Sequence, residues 1–211
     1  MKDNGRIHKT KLLIASLLFA GLSLFSLAGR AVTIDFESYL APTNLGPLVV
    51  IDGVTFSVNN PDSDPNVRVY NDGGSRTAFV LACDFSIPSS SCIKELKVDF
   101  GQQVSNLSFN FLSEDNASGV QSGVAYAYLA GSLLGSVNLI SDGDGVSQNP
   151  VSLAAFGLID QLLLDPILDP AGLGYDNFSF DVSRVPVPAA VWLFGTALIG
   201  LLGFGKQRKA A

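Results

Sequence analysis

Nineteen carboxylates, two cysteines and a single histidine bound the chemistry open to this 211-residue chain. The histidine is His8, close to the N-terminus, so the rest of the chain has no Ser-His-Asp or Cys-His nucleophile and no histidine base. Paired carboxylates remain, as a glycan hydrolase would use them. Among Glu37, Glu95 and Glu114, Glu37 is the best candidate acid, because its apolar strand would desolvate it. Their spacing selects no pair, so an enzyme is the least favoured reading and no catalytic residue is assigned. Cys83 and Cys92 flank eight residues. In an exported chain their default is a disulfide, since two thiolates without histidine make an incomplete zinc shell.

Hard oxygen ligands are the other option. Asp62, Asp64 and Asn66 stand at the 1, 3 and 5 spacing of a calcium loop, but Val67 and Gly73 replace its glycine and final glutamate. Asp142-Gly-Asp144-Gly is less complete still. Glu37 on the first strand and Asp176 on the last would meet if those strands are neighbours, and could share a structural calcium. The competing reading of all these residues is a set of Asx turns. No other cofactor is expected. Tyr70, Tyr126, Tyr128 and Tyr175 offer rings for stacking on sugars, which points to a carbohydrate-binding module as an alternative function. Asn106, Asn116 and Asn177 head glycosylation sequons by pattern alone.

The elements that must position these groups are strands. Val32–Glu37 alternates, with Val32, Ile34 and Phe36 on one face. Further strands are expected at 53–58, 67–70, 78–82, 96–100, 104–112, 124–130, 133–139, 151–156, 158–164 and 175–182, separated by Gly, Asn, Asp and Ser clusters. Asp165-Pro166 and Asp169-Pro170 should break the chain into a loop. No long stretch of the body has a helical period. The fold class is therefore all-β, an antiparallel jelly-roll-like β-sandwich spanning 32–183.

Both ends differ in texture from this body. Lys2, Arg6, Lys9 and Lys11 precede an apolar run from Leu12 to Leu27 and a small-residue exit. This is the pattern of a signal peptide over 1–31, cut between Ala31 and Val32, with a cut after Ala28 competing. The C-terminal segment, 184–211, places Val185-Pro186-Val187-Pro188 before an uncharged run, 189–205, and then Lys206, Arg208 and Lys209. As a helix the run would reach about 25 Å, enough to span a bilayer with its flanks helping. The basic cluster stops transfer and stays cytoplasmic, so the body lies outside. Between Arg30 and Val185 five basic residues face eighteen acids, a net charge of −13. That balance excludes nucleic acid as a partner.

The tail resembles the PEP-CTERM sorting signal of exported Gram-negative proteins, in the variant where Val-Pro-x-Pro-Ala replaces Pro-Glu-Pro. Val185, Pro186, Pro188, Ala189, Ala190, the Trp192-Leu193-Phe194-Gly195 run and the basic cluster carry the match. Val187 stands where the commonest form has Glu, leaving open which enzyme reads it. The resemblance implies an exosortase as partner, after the Sec machinery and signal peptidase. It also implies an inner-membrane intermediate, release to the surface, and association with exopolysaccharide or biofilm. A plain C-terminal anchor is the alternative. The body is similar, more loosely, to β-sandwich domains that often precede such tails. Ile34-Asp35-Phe36-Glu37, Gly53-Val54-Thr55-Phe56-Ser57 and the stretch from Gly174 to Phe180 carry that likeness.

Overall fold

The computed structural model describes residues 30–59, 64–70, 78–85, 92–112, 117–143, 148–167 and 172–182. The sorting motif, the apolar run with its basic cluster, the signal segment before Arg30, and Asp62, Asn116, Asp144, Asp169 and Pro170 lie outside these residues. Among the described residues no helix is long and apolar enough to cross a membrane.

Twelve strands follow one another: β1 (Arg30–Ile34), β2 (Thr43–Asn44), β3 (Leu48–Ile51), β4 (Val54–Val58), β5 (Pro65–Tyr70), β6 (Phe79–Asp84), β7 (Leu96–Leu112), β8 (Gln121–Leu129), β9 (Ser132–Ile140), β10 (Asn149–Ser152), β11 (Ile159–Pro166) and β12 (Gly174–Val182). Every pairing is antiparallel. The alternation read from the sequence is the alternation of burial. In β4, Val54, Phe56 and Val58 point inward, while Thr55 and Ser57 are half-buried.

Three local expectations need correction. Leu48–Ile51 was not expected as a strand. It pairs with β4 through the Asp52-Gly53 turn, whose two residues have φ of 49° and 82°. Positive φ at both centres is the hairpin geometry that suits strand twist, and Asx-Gly adopts it at low cost. The strand expected over 151–156 splits. β10 ends at Ser152, and Ala154–Phe156 forms one 3-10 turn closed by Gly157 at φ 74°. Asp165-Pro166 does not break the chain: β11 runs through it, pairing Asp165 with Val124 and Pro166 with Gly123. The β7 pairing of β11 reaches only Leu164↔Leu96, so at Pro166 the missing N–H deprives no ladder.

β7 explains the layering. Its first part, Leu96–Asp99, lies between β4 and β11, in a run ordered β3-β4-β7-β11-β8-β9. Its second part, Val104–Leu112, lies between β12 and β10, and β12 leads on through β6 to β5 and β2, with β1 beside it. Strands that switch sheets through a bend make the corners of sandwiches. The two layers meet through rings. Phe56 of β4 lies 5.4 Å from Phe178 of β12 and 5.5 Å from Phe36; Phe100 packs on Phe180 at 5.0 Å; and within the second layer Phe109 stacks on Phe178 at 5.5 Å. Contacts of this kind add about 0.5–1.5 kcal/mol each beyond the area they bury.

A second, smaller apolar cluster sits on the other face of β6, formed by Phe79, Leu81, Cys83 and Leu112. All six residues of β6 are therefore buried, not every other one. The Cys83–Cys92 disulfide belongs to this cluster, as the two cysteines led one to expect.

Candidate functional site

The bend in β7 builds a cleft. Asp99 lies opposite Gln161 and Val104 opposite Ile159, so two steps along β11 face five along β7. The excess residues, including the exposed Gly101-Gln102-Gln103, leave the ladder. Gly101 has φ 64°, and the Asp99 carboxylate accepts a hydrogen bond from its N–H at 2.8 Å, which fixes the turn. Across the opening, the β8–β9 hairpin turns through Ala130 and Gly131. The Asp160 carboxylate ties its tip to β11 by accepting from Ala130 N–H at 2.7 Å. Asp99, Gly101, Gln102, Gln103, Gly131, Asp160 and Gln161 enclose about 320 Å³. Two carboxylates and three amides line it, groups that donate to and accept from hydroxyls.

The cleft continues onto the outer face of the first layer. Register places Leu133, Tyr128, Gln161, Asp99 and Thr55 side by side across β9, β8, β11, β7 and β4. The next row holds Ser136, Tyr126, Leu163, Lys97 and Ser57. Tyr126 and Tyr128 are half-buried, while Ala125 and Ala127 between them are fully enclosed in the core. The rings thus stand on the solvent side, two residues apart on one strand, beside a polar row.

The other two tyrosines are not available to a ligand in this way. Tyr175 is 1% exposed and packs on Phe109 at 6.1 Å. Tyr70 is held between the edge of Phe79 at 5.7 Å and the guanidinium of Arg68 at 5.4 Å.

The two carboxylates expected to share an ion each accept from amides. β1 ends at Ile34, so Glu37 lies in the turn beyond the strand, where it accepts from Ala78 N–H at 2.8 Å. Asp176 is on β12 as expected and buried. Its Oδ2 accepts from Gln148 Nε2 at 2.9 Å and Asn177 Nδ2 at 3.0 Å, and Gln148 in turn accepts from Asn110 at 2.8 Å. Among the described residues no three His, Cys, Asp or Glu side chains gather as a metal site. Asn66 donates to the backbone oxygen of Asp64 at 3.1 Å and to its carboxylate at 3.2 Å, a local Asx arrangement. Ala31 and Val32 both lie within β1, opposite Asp181 and Phe180.

The carboxyl of Asp165 is perturbed. Burial first, and the neighbouring Glu95 carboxylate second, raise Asp165 above the ordinary aspartate value. Glu95 also accepts a hydrogen bond from Asn59.

Asp99, Gln102, Gln103, Asp160 and Gln161 escaped the sequence reading. Their one signal was the break in alternation at Gly101-Gln102-Gln103, which reads equally well as a loop between two strands.

No protein-family model matches the chain, and no curated protein matches it. Among solved structures it is similar to the CBM32-2 module of a GH31 protein bound to GalNAc. That likeness has a TM-score of 0.31 and 13% identity, over 74% of this chain and 99% of the other. It is also similar to CtCBM11, with a TM-score of 0.34 and 11% identity, over 77% of this chain and 100% of the other. At such TM-scores neither likeness bears on what this chain binds.

Proposed function

We propose that this protein is an exported, non-enzymatic glycan-binding β-sandwich, carried to the cell surface by its C-terminal sorting signal. The observation that carries the binding reading is the outer face of β8, β11 and β7. There Tyr126 and Tyr128 stand beside Gln161 and Asp99 at the mouth of a polar cleft. Rings supply apolar faces for the C–H side of a pyranose, and amides and carboxylates meet its hydroxyls. The ligand expected is the polysaccharide the producing cell secretes. Isothermal titration of the protein against that polysaccharide, with and without calcium, is the test. Binding by the wild type, lost when Tyr126 and Tyr128 are both changed to Ala, supports the reading. No heat in any buffer removes it.

The sorting reading rests on the order Val185-Pro-Val-Pro188, apolar run, then Lys206, Arg208 and Lys209. An exosortase-type enzyme would act at the motif while the helix sits in the inner membrane. The intact mass of the extracellular form checks it. A product still carrying Trp192 to Arg208 would favour a simple anchor. Deleting Val185 to Pro188 should strand the chain in the membrane.

A further inference from the structure

Five strands have a hydrogen-bonded neighbour on one side only among the described residues: β1, β2, β3, β9 and β10. An unpaired edge is a template for another strand, and folded proteins blunt it by shortness, charge, proline or a bulge. Four of the five are blunted. β2 has two residues and β3 four; β10 has four and contains Pro150; β1 has five and carries Arg30. β9 is different. Its nine residues, Ser132-Leu-Leu-Gly-Ser-Val-Asn-Leu-Ile140, include no charge and no proline. Leu133, Leu134 and Ile140 are 55%, 39% and 44% exposed. Its pairing with β8 shifts register twice: near Leu134, where Tyr128 pairs with Leu133 and Ala127 with Gly135, and at the far end, where Gly123 pairs with Leu139 and Gln121 with Ile140. Gly135–Leu139 runs between the two shifts in unbroken register with β8 and has no neighbour on its other side among the described residues.

We propose that β9 pairs antiparallel with β9 of a second copy of this chain, joining the two β3-β4-β7-β11-β8-β9 layers into one continuous sheet. A two-fold contact requires a self-complementary patch. An antiparallel edge meets that requirement through its backbone, because outward N–H and C=O groups alternate along it and each finds its opposite on the rotated copy. Charge selects the place. Between Arg30 and Val185 the chain carries eighteen acids against five bases, so copies approaching by most faces repel one another. The β9 seam brings no charged residue of the strand against its twin. The same geometry sets the two tyrosine faces side by side in one plane, although the pairing does not depend on glycan binding.

Sedimentation velocity over a concentration series, on the protein with its disulfide intact, tests the pairing. The wild type should dimerise reversibly. Changing exposed Leu133 and Ile140 to Lys should weaken dimerisation by about tenfold or more, since like charges then meet across the seam. An unchanged near-ultraviolet circular dichroism spectrum in that variant separates lost pairing from lost fold. Single cysteines at Ser136 or Asn138, both exposed, should give a reducible dimer from at least one site, because paired strands bring facing Cα atoms within disulfide reach. Ser152→Cys on β10 should give none. A wild type that stays monomeric overturns the proposal. So does a Lys variant that dimerises as tightly, or a Ser152→Cys protein that cross-links as readily.

Discussion

The two layers share a core and differ on their outer faces. On β6 the outward side chains Phe79, Leu81 and Cys83 are covered, joined by Leu112 and stapled by the disulfide. On β8 and β11 outward positions hold Tyr126, Tyr128, Gln161 and Leu163, all half-buried and, among the described residues, part of neither apolar cluster. Strand composition follows the difference. β6 reads as a continuous apolar run, Phe-Val-Leu-Ala-Cys, whereas β4 of the first layer alternates. In the second layer, β6 is insulated on both sides. On the first layer, β8 and β11 keep a half-exposed outer row, the face proposed above to meet a glycan.

Substitutions can break this division, and the largest effect belongs to the shared core. Phe178 meets Phe36, Phe56 and Phe109. Phe178→Ala should cost about 3–5 kcal/mol in urea unfolding, by lost transfer energy and the cavity left behind. Next comes the insulated face. Replacing Cys83 and Cys92 together by Ser should cost about 2–3 kcal/mol, as expected for a short closed loop, and leave glycan affinity unchanged. Third, Tyr128→Ala on the open face should change stability by no more than about 0.5 kcal/mol. The same variant should weaken glycan binding by about tenfold, as loss of a stacking anchor does. A large stability loss there would mean that the face is structural after all.

The smallest effect is expected at Asp165. Its carboxyl is raised by burial and by Glu95, so the folded chain holds that proton more tightly than the unfolded chain. The stability it contributes is present below the ordinary value of 3.8 and is lost as pH rises through the raised value. Asp165→Asn should flatten that decline, read from urea midpoints taken between acid and neutral pH. A steeper decline in the variant would reverse the assignment.

Much of the fold was legible because period-2 alternation is local. Leu107-Ser-Phe-Asn-Phe111 and Phe178-Ser-Phe-Asp-Val182 declare their inner faces without reference to any partner. β3 was not, since Leu48-Val-Val-Ile51 lacks alternation and is too short to stand out. That β7 is one strand serving two layers was hidden as well. Phe100 and Val104 keep their places in the core, while the residues between them leave the ladder for reasons set by β11 and β4. The site suffered most. Glu37 and Asp176 looked like partners because β1 and β12 are neighbours, as they are. β1 stops at Ile34, however, so Glu37 lies in the turn beyond it, where it accepts from Ala78 N–H, while Asp176 accepts from Gln148. Of the four tyrosines named as sugar-stacking candidates only Tyr126 and Tyr128 face outward together, a choice that strand order makes and composition does not.

The pairing of β1 with β12 has a kinetic consequence. Ile34 lies opposite Phe178 and Arg30 opposite Val182, so the first strand of the body finds its neighbour only when the last has been made. Closing so long a loop slows folding, because its entropy must be overcome before the contact returns any energy. Until residues 174–182 arrive, β7 lacks the neighbour that covers Val104–Leu112, and Phe36, Phe56 and Phe109 lack the ring on which they converge. The hairpins β3–β4, β5–β6 and β8–β9 join neighbours in sequence and can close early, whereas the rings that converge on Phe178 wait for the last strand of the body.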